Sequence, residues 1–280
     1  MAIRCIALDL DRTTLDGEGR LSPRNRAAIG EMIRSGREVI IASGRPFTSL
    51  PREVTDLPGI RFAITSNGAA AYALPEGRCL FRHRLRPEAV DGILAVAGEA
   101  VESGTVACEA LQDGVPYCSA AYYADPAAFG VSAWGVGYIR DTRRPVADIL
   151  AFIRARRSTL DTIDLSFTDE EFRRRIWAEL ERRVPGIYLT ASRACFIEIS
   201  DSRGGKHRAL AALLQRLGIS PEETAAFGDG DNDAPMLAFV GAGVAVANAT
   251  PLCRQAAAYM TDAHDRDGVA RWLSQVLPTL

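Results

Sequence analysis

The sequence predicts an α/β protein: a doubly wound, mostly parallel sheet with an α+β domain inserted into it. Three observations support this fold class. Apolar runs of strand length alternate with amphipathic helices near both ends of the chain, the loops between them are short, and the middle follows a different pattern. With 280 residues, the chain is long enough for one core domain and one insertion.

The first seventy residues alternate between predicted strands and a helix. Residues 3–10 and 39–42 are apolar runs typical of strands that are covered on both faces. Between them, Ser22 is the expected N-cap of a helix that Gly36 ends. A third strand is predicted at Phe62–Thr65. Short connections of this kind indicate parallel strands joined by right-handed crossovers.

The same alternation returns near the end of the chain. Strands are predicted at residues 195–199, 224–227 and 244–247. An amphipathic helix lies between the first two and is expected to end at Gly218. Both ends of the chain are therefore expected to contribute to one Rossmann-like sheet.

Residues 85–193 form the predicted insertion. Asp113-Gly114 is typical of a hairpin turn between two strands. Amphipathic helices are predicted at 145–157 and after Asp169, which is a good N-cap. A partly antiparallel α+β domain is the expected arrangement. The remaining residues, 1–84 and 194–280, are assigned to the core domain.

Composition excludes several classes of protein. The 33 Lys and Arg residues against 35 Asp and Glu give a net charge of −2, which argues against a nucleic-acid partner. No apolar run approaches the roughly 18 residues of a membrane span, and no signal peptide is recognisable. The six cysteines form no C-x-x-C pair and are expected to be reduced thiols. We expect a cytoplasmic monomer or weak homodimer.

An acid pair follows the first predicted strand. Asp9 and Asp11 are two residues apart, so their carboxylates project to the same side of the strand end. Open α/β sheets bind ligands at this edge. Two such carboxylates repel each other unless a cation or a shared proton separates them. The alternative is that both carboxylates cap nearby backbone donors.

Two further segments are typical of anion sites. Ser43 and Gly44 follow the second strand and offer a hydroxyl and an accessible backbone N–H to a phosphate. An ordinary turn capped by Ser43 is the alternative. Lys206 lies at a helix N-terminus, where a cation is unfavourable unless an anion is also bound. For Lys206 the alternative is a solvated surface lysine.

An acidic loop follows a predicted buried strand near the end of the chain. It contains Asp229, Asp231, Asn232 and Asp233 between glycines. Hard oxygen ligands of this kind suit Mg²⁺. A solvated acidic loop is the alternative, although the buried strand before it favours a metal site.

Taken in order, these four segments resemble the motifs of the haloacid dehalogenase superfamily of phosphotransferases. Those motifs are an Asp-x-Asp pair, a Ser or Thr, a Lys and an acidic loop. Residues 41–45, 65–69, 228–233, 243–249 and 267–269 are similar to the Cof-type phosphatase branch. The resemblance covers the first ~70 and last ~85 residues. The middle matches in position and size only, as the family's α/β cap.

The resemblance implies a Mg²⁺-dependent phosphatase that acts through an aspartyl-phosphate. Asp9 would be the nucleophile, and Asp11 the general acid and then the general base. The metal would be held by Asp9, the backbone carbonyl of Asp11 and Asp229, with Asp233 close by. The phosphoryl oxygens would be held by Ser43, Gly44, Lys206 and Asn232.

The resemblance also implies a small phosphorylated metabolite as substrate, with sugar phosphates favoured and the cap selecting the leaving group. Arg12, Arg45 and Asn67 are candidates for contacting this substrate. Two alternatives stay open from the sequence. A phosphosugar mutase would return the phosphoryl group to its substrate, and a phosphometabolite-binding protein would carry out no reaction.

One residue departs from the family's first motif, which usually runs D-x-D-G-T-L. Arg12 stands in place of the glycine and Thr14 in place of the leucine. Because glycine tolerates a positive φ and arginine does so poorly, we expect Arg12 to make the turn without one. Its side chain would be tolerated there or would add a cation near the substrate.

Overall fold

The computed structural model describes residues 3–276, without the side chain of residue 276, and these residues divide into two compact units. Within the described residues, unit 1 comprises 3–45, 50–81 and 205–276, and unit 2 comprises 46–49 and 82–204.

Fourteen strands and eleven α-helices form within residues 3–276. The strands are β1 (Cys5–Leu8), β2 (Glu38–Ala42), β3 (Phe62–Thr65), β4 (Ala70–Ala73), β5 (Arg78–Arg82), β6 (Ala107–Gln112), β7 (Val115–Ser119), β8 (Arg144–Val146), β9 (Leu160–Ser166), β10 (Ile187–Thr190), β11 (Phe196–Asp201), β12 (Thr224–Gly228), β13 (Ala242–Val246) and β14 (Tyr259–Thr261). The helices are α1 (Pro23–Arg34), α2 (Arg52–Thr55), α3 (Pro87–Glu102), α4 (Ala120–Ala124), α5 (Ala133–Thr142), α6 (Ile149–Ala155), α7 (Glu170–Arg183), α8 (Lys206–Leu217), α9 (Ala234–Phe239), α10 (Pro251–Ala256) and α11 (Gly268–Val276).

Unit 1 is built on an eight-stranded sheet in the order β14-β13-β12-β1-β2-β3-β4-β5. The six strands from β14 to β3 are parallel, and β4 runs antiparallel to β3. Strand β1 lies in the middle, and all four of its residues are buried. The carboxyl ends of β1, β2 and β12 therefore lie side by side. From this middle of the sheet the chain continues from β1 to β2 on one side and from β12 to β13 on the other. This arrangement confirms the predicted doubly wound fold class.

Two helices of unit 1 begin and end as their sequences predict. The Ser22 side chain accepts a hydrogen bond from the Asn25 amide and caps α1, and Gly36 follows the helix with a positive φ. Helix α8 begins at Lys206 and ends at Gly218, which is left-handed at φ 61°. The start of α8 places a lysine at the helix end where a cation is least favourable.

Unit 2 contains a six-stranded sheet in the order β10-β11-β9-β6-β7-β8. Strands β6 and β7 pair antiparallel around Asp113 and Gly114, as the hairpin signal predicts. Asp169 caps α7 by accepting from the amides of Glu171 and Phe172, which is also as expected. One face of this sheet packs with α3, α6 and α7 around an apolar core.

Two local predictions for this region are wrong. The strand expected at 195–199 in the core sheet forms as β11, but it pairs antiparallel with β9 and β10 in unit 2. Its burial alternates at the start, which suits a sheet with one polar face. The helix expected over 145–157 begins only at Ile149, after Asp148 caps it. Pro145 lies instead on β8, an edge strand, where a missing N–H is tolerated.

No helix within residues 3–276 is both long enough and apolar enough to span a bilayer.

One glycine permits two distant segments of unit 1 to approach. Gly68 has a φ of +89°, and an added Cβ would lie 2.3 Å from the carbonyl oxygen of Gly205. In the same place the Gly205 amide donates to the Asn67 carbonyl at 2.8 Å. Because Gly205 precedes Lys206, this close approach places the start of α8 beside Asn67.

We expect Gly68→Ala to lower the free energy of unfolding by more than about 2 kcal/mol, because the left-handed backbone alone costs about 1–2 kcal/mol and the methyl group would also collide with Gly205. Urea denaturation of the full chain measures the loss. Gly36→Ala is the matched control, since Gly36 has φ +84° but nothing within 4 Å of an added Cβ. Equal losses for the two variants would contradict the close approach.

Candidate active site

A buried lysine joins three segments of unit 1. The Lys206 Nζ donates to Asp9 Oδ1 and to Asp233 Oδ1, each at 2.7 Å. Lys206 and Asp233 are 1% exposed and Asp9 is 5% exposed. Asp9 follows β1, Lys206 begins α8 and Asp233 lies in the loop after β12. Buried charges require partners of this kind, so neither the surface-lysine nor the solvated-loop interpretation holds.

The backbone after β1 turns sharply and is held from several sides. The Asp9 amide donates to Phe227 O at 3.1 Å, which continues the pairing of β1 with β12. The Thr14 hydroxyl donates to the Asp9 carbonyl at 2.5 Å, and Asn25 Nδ2 donates to the Thr14 carbonyl at 2.9 Å. These contacts fix the direction in which the Asp9 side chain leaves the strand.

Arg12 adopts the left-handed conformation, with φ 60° and ψ 15°. The expectation that it avoids a positive φ is therefore wrong. Its side chain is exposed, and its carbonyl accepts a hydrogen bond from Asn248 Nδ2 at 2.9 Å. Asn248 Oδ1 in turn accepts from the His264 amide at 3.0 Å. The turn thus keeps the glycine-like geometry, supported from a distant segment.

Asp233 organises the acidic loop. While its Oδ1 accepts from Lys206, its Oδ2 accepts from the amides of Asp229 and Gly230, both at 3.0 Å. The Asp229 Oδ1 accepts from the Thr13 hydroxyl at 3.3 Å. Thr13 was not singled out from the sequence, although its position directly after the acid pair is the signal that could have identified it.

Three carboxylates could hold a metal ion together. Ligand oxygens of Asp9, Asp229 and Asp233 lie within 4.8 Å of one another, and in the part of the chain that the structure describes this is the only such group of three. The set consists of hard oxygen donors, which suit Mg²⁺ or another hard divalent cation. The Asp11 side chain is not part of this group.

The electrostatics of the cluster favour a further cation. Burial, reinforced by Asp233, raises the pKa of Asp9 to about 7, although Lys206 opposes the shift. Burial, together with Asp9 and Asp233, raises the pKa of Asp229 to about 8. Burial alone would lower the pKa of Lys206, but the carboxylates of Asp233 and Asp9 raise it above its usual value. The three acids thus crowd negative charge that one lysine does not fully offset.

The Asp11 carboxylate is bound by Arg45, which the sequence analysis predicted as a candidate for substrate contact. Arg45 Nε donates to Asp11 Oδ2 at 2.8 Å, and Nη2 donates to Asp11 Oδ1 at 2.6 Å. The Arg45 side chain is 8% exposed, whereas that of Asp11 is 42% exposed. Ser43 lies at the base of the same turn, fully buried, and its Oγ accepts from the Arg45 amide at 3.1 Å.

The remaining candidate phosphate ligands also lie together in unit 1. Asn232 Nδ2 donates to Asn67 Oδ1 at 2.9 Å, and both residues are buried. A Cβ added to Gly44 would lie 3.2 Å from the same Asn67 oxygen. The Asn67 carbonyl accepts from the amide before Lys206. The strand ends thus bring the residues predicted for phosphate binding into one region.

The fold and this site define a protein with an acidic, lysine-containing centre at the carboxyl edge of a doubly wound sheet. The chain belongs to the haloacid dehalogenase-like hydrolases, since the model of that family matches residues 6–273. This membership confirms the family that the motifs resemble.

Three similar proteins illustrate the family. The putative phosphatase YkrA of Bacillus subtilis is 27% identical over 271 residues, covering 96% of each chain. The 5-amino-6-(5-phospho-D-ribitylamino)uracil phosphatase YcsE of the same organism is 26% identical, covering 96% of this chain and 94% of its own. A solved haloacid dehalogenase-like hydrolase from B. subtilis superposes with a TM-score of 0.83 at 26% identity, covering 97% of this chain and 99% of that one. These relatives confirm the expected enzyme class, a phosphatase of the haloacid dehalogenase type.

We expect Arg12→Gly to raise the free energy of unfolding by up to about 1 kcal/mol, because relief of the left-handed strain, about 1–2 kcal/mol, exceeds the entropy that glycine loses on folding, about 0.5–1 kcal/mol. Arg26→Gly, inside α1, is the control and should lower stability by about 1 kcal/mol. Urea denaturation compares the two. A loss of stability in Arg12→Gly would show that Arg12 is not strained.

We expect the melting temperature of the metal-free chain to fall as the pH rises from about 6 to about 8.5. The unfolded carboxyls titrate near 3.8, whereas those of Asp9 and Asp229 titrate near 7 and 8 in the folded chain. The folded state therefore holds more protons in this window, and raising the pH favours unfolding. Differential scanning calorimetry measures the change.

The control for this pH dependence is Asp229→Asn, which removes one titrating carboxyl and should flatten the fall. A divalent cation prefers the ionised carboxylates, so Mg²⁺ should raise the melting temperature more at the upper end of this pH window. A melting temperature that rises with pH in the metal-free wild type would contradict the charge assignment.

Proposed function

We propose that the chain is a Mg²⁺-dependent phosphomonoester hydrolase that acts on small phosphorylated metabolites through an aspartyl-phosphate intermediate. One observation carries this proposal. The buried Asp9 carboxylate accepts a hydrogen bond from Lys206, and it has an oxygen within 4.8 Å of oxygens of Asp229 and Asp233. The proposed nucleophile, a buried lysine and the proposed metal ligands thus lie together at the strand ends, as this chemistry requires.

The residues present fit a magnesium ion. The donors are carboxylate oxygens at the end of β1 and in the loop after β12, where the Asp229 and Gly230 amides donate to Asp233. Asp9, Asp229 and the Asp11 carbonyl would hold the metal, with Asp233 close by. When bound, Mg²⁺ would offset negative charge on the phosphoryl group and on the attacking carboxylate.

In the first step an Asp9 oxygen attacks phosphorus. A bond forms between this oxygen and phosphorus while the bond from phosphorus to the ester oxygen breaks. Lys206 holds the carboxylate and screens the approach of two negative groups, since it lies 2.7 Å from Asp9 Oδ1. Asp11 would give a proton to the departing alcohol oxygen.

In the second step water attacks the phosphorus of the acyl phosphate and releases inorganic phosphate and the Asp9 carboxylate. Asp11 would accept the proton from this water. The two hydrogen bonds from Arg45 orient the Asp11 carboxylate. The proposed role of Arg45 is therefore to position Asp11, in addition to the substrate contact expected from the sequence.

The phosphoryl oxygens have four proposed partners at the strand ends. A hydroxyl, a backbone amide, an ammonium and a side-chain amide would offset the charge that develops in the transition state. Asn67 would orient one of them, because it accepts a hydrogen bond from the Asn232 amide group. The four proposed partners are Ser43, Gly44, Lys206 and Asn232.

Sugar phosphates are the favoured substrates. The name of the relative YcsE describes a substrate with a phosphorylated ribityl chain, which is a phosphomonoester of a small polyol. Similarity at this level supports the general class of substrate.

We expect Asp9→Asn to lower the rate of phosphate release from p-nitrophenyl phosphate by at least about a thousandfold, because the amide oxygen is a poor nucleophile. Circular dichroism checks that the variant is folded. Asp231→Asn is the matched control: Asp231 lies in the same acidic loop but is exposed, and its Oδ1 accepts a hydrogen bond from the Thr250 hydroxyl. It should retain activity close to wild type.

Removal of metal by a chelator should abolish phosphate release in the wild type, and added Mg²⁺ should restore it. Wild-type turnover by Asp9→Asn would refute the nucleophile assignment. Isomerised sugar phosphate without free phosphate would instead indicate the mutase.

A further inference from the structure

A cavity of about 340 Å³ lies at the amino-terminal edge of the sheet of unit 1, opposite the edge that bears Asp9. It is lined by residues at the starts of β1, β2 and β3 and by the end of α8. Its volume is within the range of small-molecule sites. Five residues of extended chain, about 16 Å, separate the two edges along β1. We call it the amino-edge cavity, and its walls include Arg4, Arg37, Glu38, Arg61, Leu217 and Ile219.

An arginine stands directly before each of three neighbouring parallel strands, and all three arginines line this cavity. Arg4 precedes β1, Arg37 precedes β2 and Arg61 precedes β3. Strands β1 and β2 pair in register at Cys5 and Glu38, so Arg4 and Arg37 occupy matching positions one residue earlier. Like charges at matching positions of neighbouring strands repel each other. The strand order therefore gathers positive charge at the amino-edge cavity.

Two of these arginines have a carboxylate partner. Arg61 donates to Glu38, whose side chain is 7% exposed. Arg4 Nη1 lies 3.1 Å from Glu223 Oε2, in a pair that is largely open to solvent. Among these groups, three guanidinium groups meet two carboxylates, which leaves one positive charge without compensation.

Arg37 carries the uncompensated charge. Its Nε donates to the Ile3 carbonyl at 3.0 Å and its Nη1 donates to the Ser35 hydroxyl, so the guanidinium is held in one orientation. Within residues 3–276 it makes no ion pair, and its Nη2 makes no hydrogen bond. Arg37 is also half-buried. A partly desolvated guanidinium that is fixed by its neighbours and keeps unused N–H groups is suited to carboxylate or phosphoryl oxygens.

The amino-edge cavity also offers space and an apolar wall near Arg37. An added Cβ on Gly36, the preceding residue, would meet no atom within 4 Å. Leu217 and Ile219 line the same cavity and are half-buried. An inorganic anion would leave these two side chains in water, whereas a ligand with an apolar part would cover them.

We propose that the amino-edge cavity binds a small organic anion, whose carboxylate or phosphoryl group bonds to Arg37 and whose apolar part covers Leu217 and Ile219. The anion also relieves the repulsion between Arg37 and Arg4. Because open α/β sheets bind their substrates at the carboxyl ends of the strands, this ligand is distinct from the substrate of the proposed phosphatase. Its binding requires neither Asp9 nor a metal ion and is therefore independent of the proposed function.

Protein-observed NMR locates the ligand. The ¹⁵N-labelled full chain, kept free of metal by a chelator, is titrated with benzoate, phenylphosphonate and benzamide, which share a ring and carry a carboxylate, a phosphonate or a neutral amide. At least one of the two anions should shift the backbone amides of Gly36 and Arg37, with a dissociation constant at least about tenfold lower than that of benzamide. The tighter of the two anions identifies the group that Arg37 binds. Shifts confined to Gly44 and Gly230 at the candidate active site, equal affinity for benzamide, or no shift with any probe would overturn the proposal.

Variants and a smaller probe test the assigned contacts. Arg37→Gln should raise the dissociation constant of the bound anion at least about tenfold, because a charge-assisted pair is lost. Arg34→Gln is the matched control: it makes the same change of charge at an exposed residue in the last turn of α1 that is not among those lining the cavity, and it should bind the anion as the wild type does. Unchanged affinity in Arg37→Gln would overturn the proposal.

Two further readouts separate this site from the proposed reaction. Acetate, which lacks the ring, should bind more weakly than benzoate, and equal affinities would contradict the contact with Leu217 and Ile219. Arg37→Gln and Arg34→Gln should both release phosphate from p-nitrophenyl phosphate at the wild-type rate, since neither residue lies in the candidate active site. Loss of anion binding together with loss of phosphate release in Arg37→Gln would contradict a separate site.

Discussion

The bridge from Lys206 to Asp9 and Asp233 is the interaction on which the site depends. Its partners lie 197 and 27 residues from the lysine along the chain, yet both oxygens are 2.7 Å from the same ammonium. Taking one lysine and two aspartates out of water costs several kcal/mol per ion, and the cost is offset only by close geometry. The lysine also begins a helix, where its charge opposes the helix dipole. Stability alone does not explain such an arrangement, whereas the proposed role of these residues in phosphoryl transfer would.

The backbone around the bridge is also held in costly conformations. Arg12 and Asn67 both have positive φ angles, 60° and 51°. Each is supported by a contact from a distant segment, Asn248 on the Arg12 carbonyl and the Gly205 amide on the Asn67 carbonyl. Strain of this kind persists when the surrounding structure fixes it, and it clusters at active sites and ligand-binding segments. Here it directs the polar side chains that follow β1 and β3.

Much of the core could be predicted from the sequence because its signals are local. The Ser22 cap, Gly218 and the apolar strands depend on neighbouring residues, and parallel strands necessarily bring their carboxyl ends to one edge. The sheet to which β11 belongs could not be predicted in this way, since strand pairing is long-range. The hydrogen bonds from Arg45 to Asp11 were missed for the same reason, because they depend on contacts that no local pattern encodes. The left-handed Arg12 was missed although the glycine usual at that position of the motif is a local signal for a positive φ; the Asn248 contact that supports the turn is long-range.

The most direct test of this account is to trap the covalent intermediate on Asp9. The full chain would be mixed with a fast phosphomonoester substrate and Mg²⁺, quenched in acid, reduced with borohydride and digested for mass spectrometry. Reduction of an acyl phosphate converts the aspartate to homoserine, so the account predicts homoserine at position 9 and unmodified aspartate at position 11. Modification of a different residue, or turnover with no reducible acyl phosphate at any time point, would contradict it.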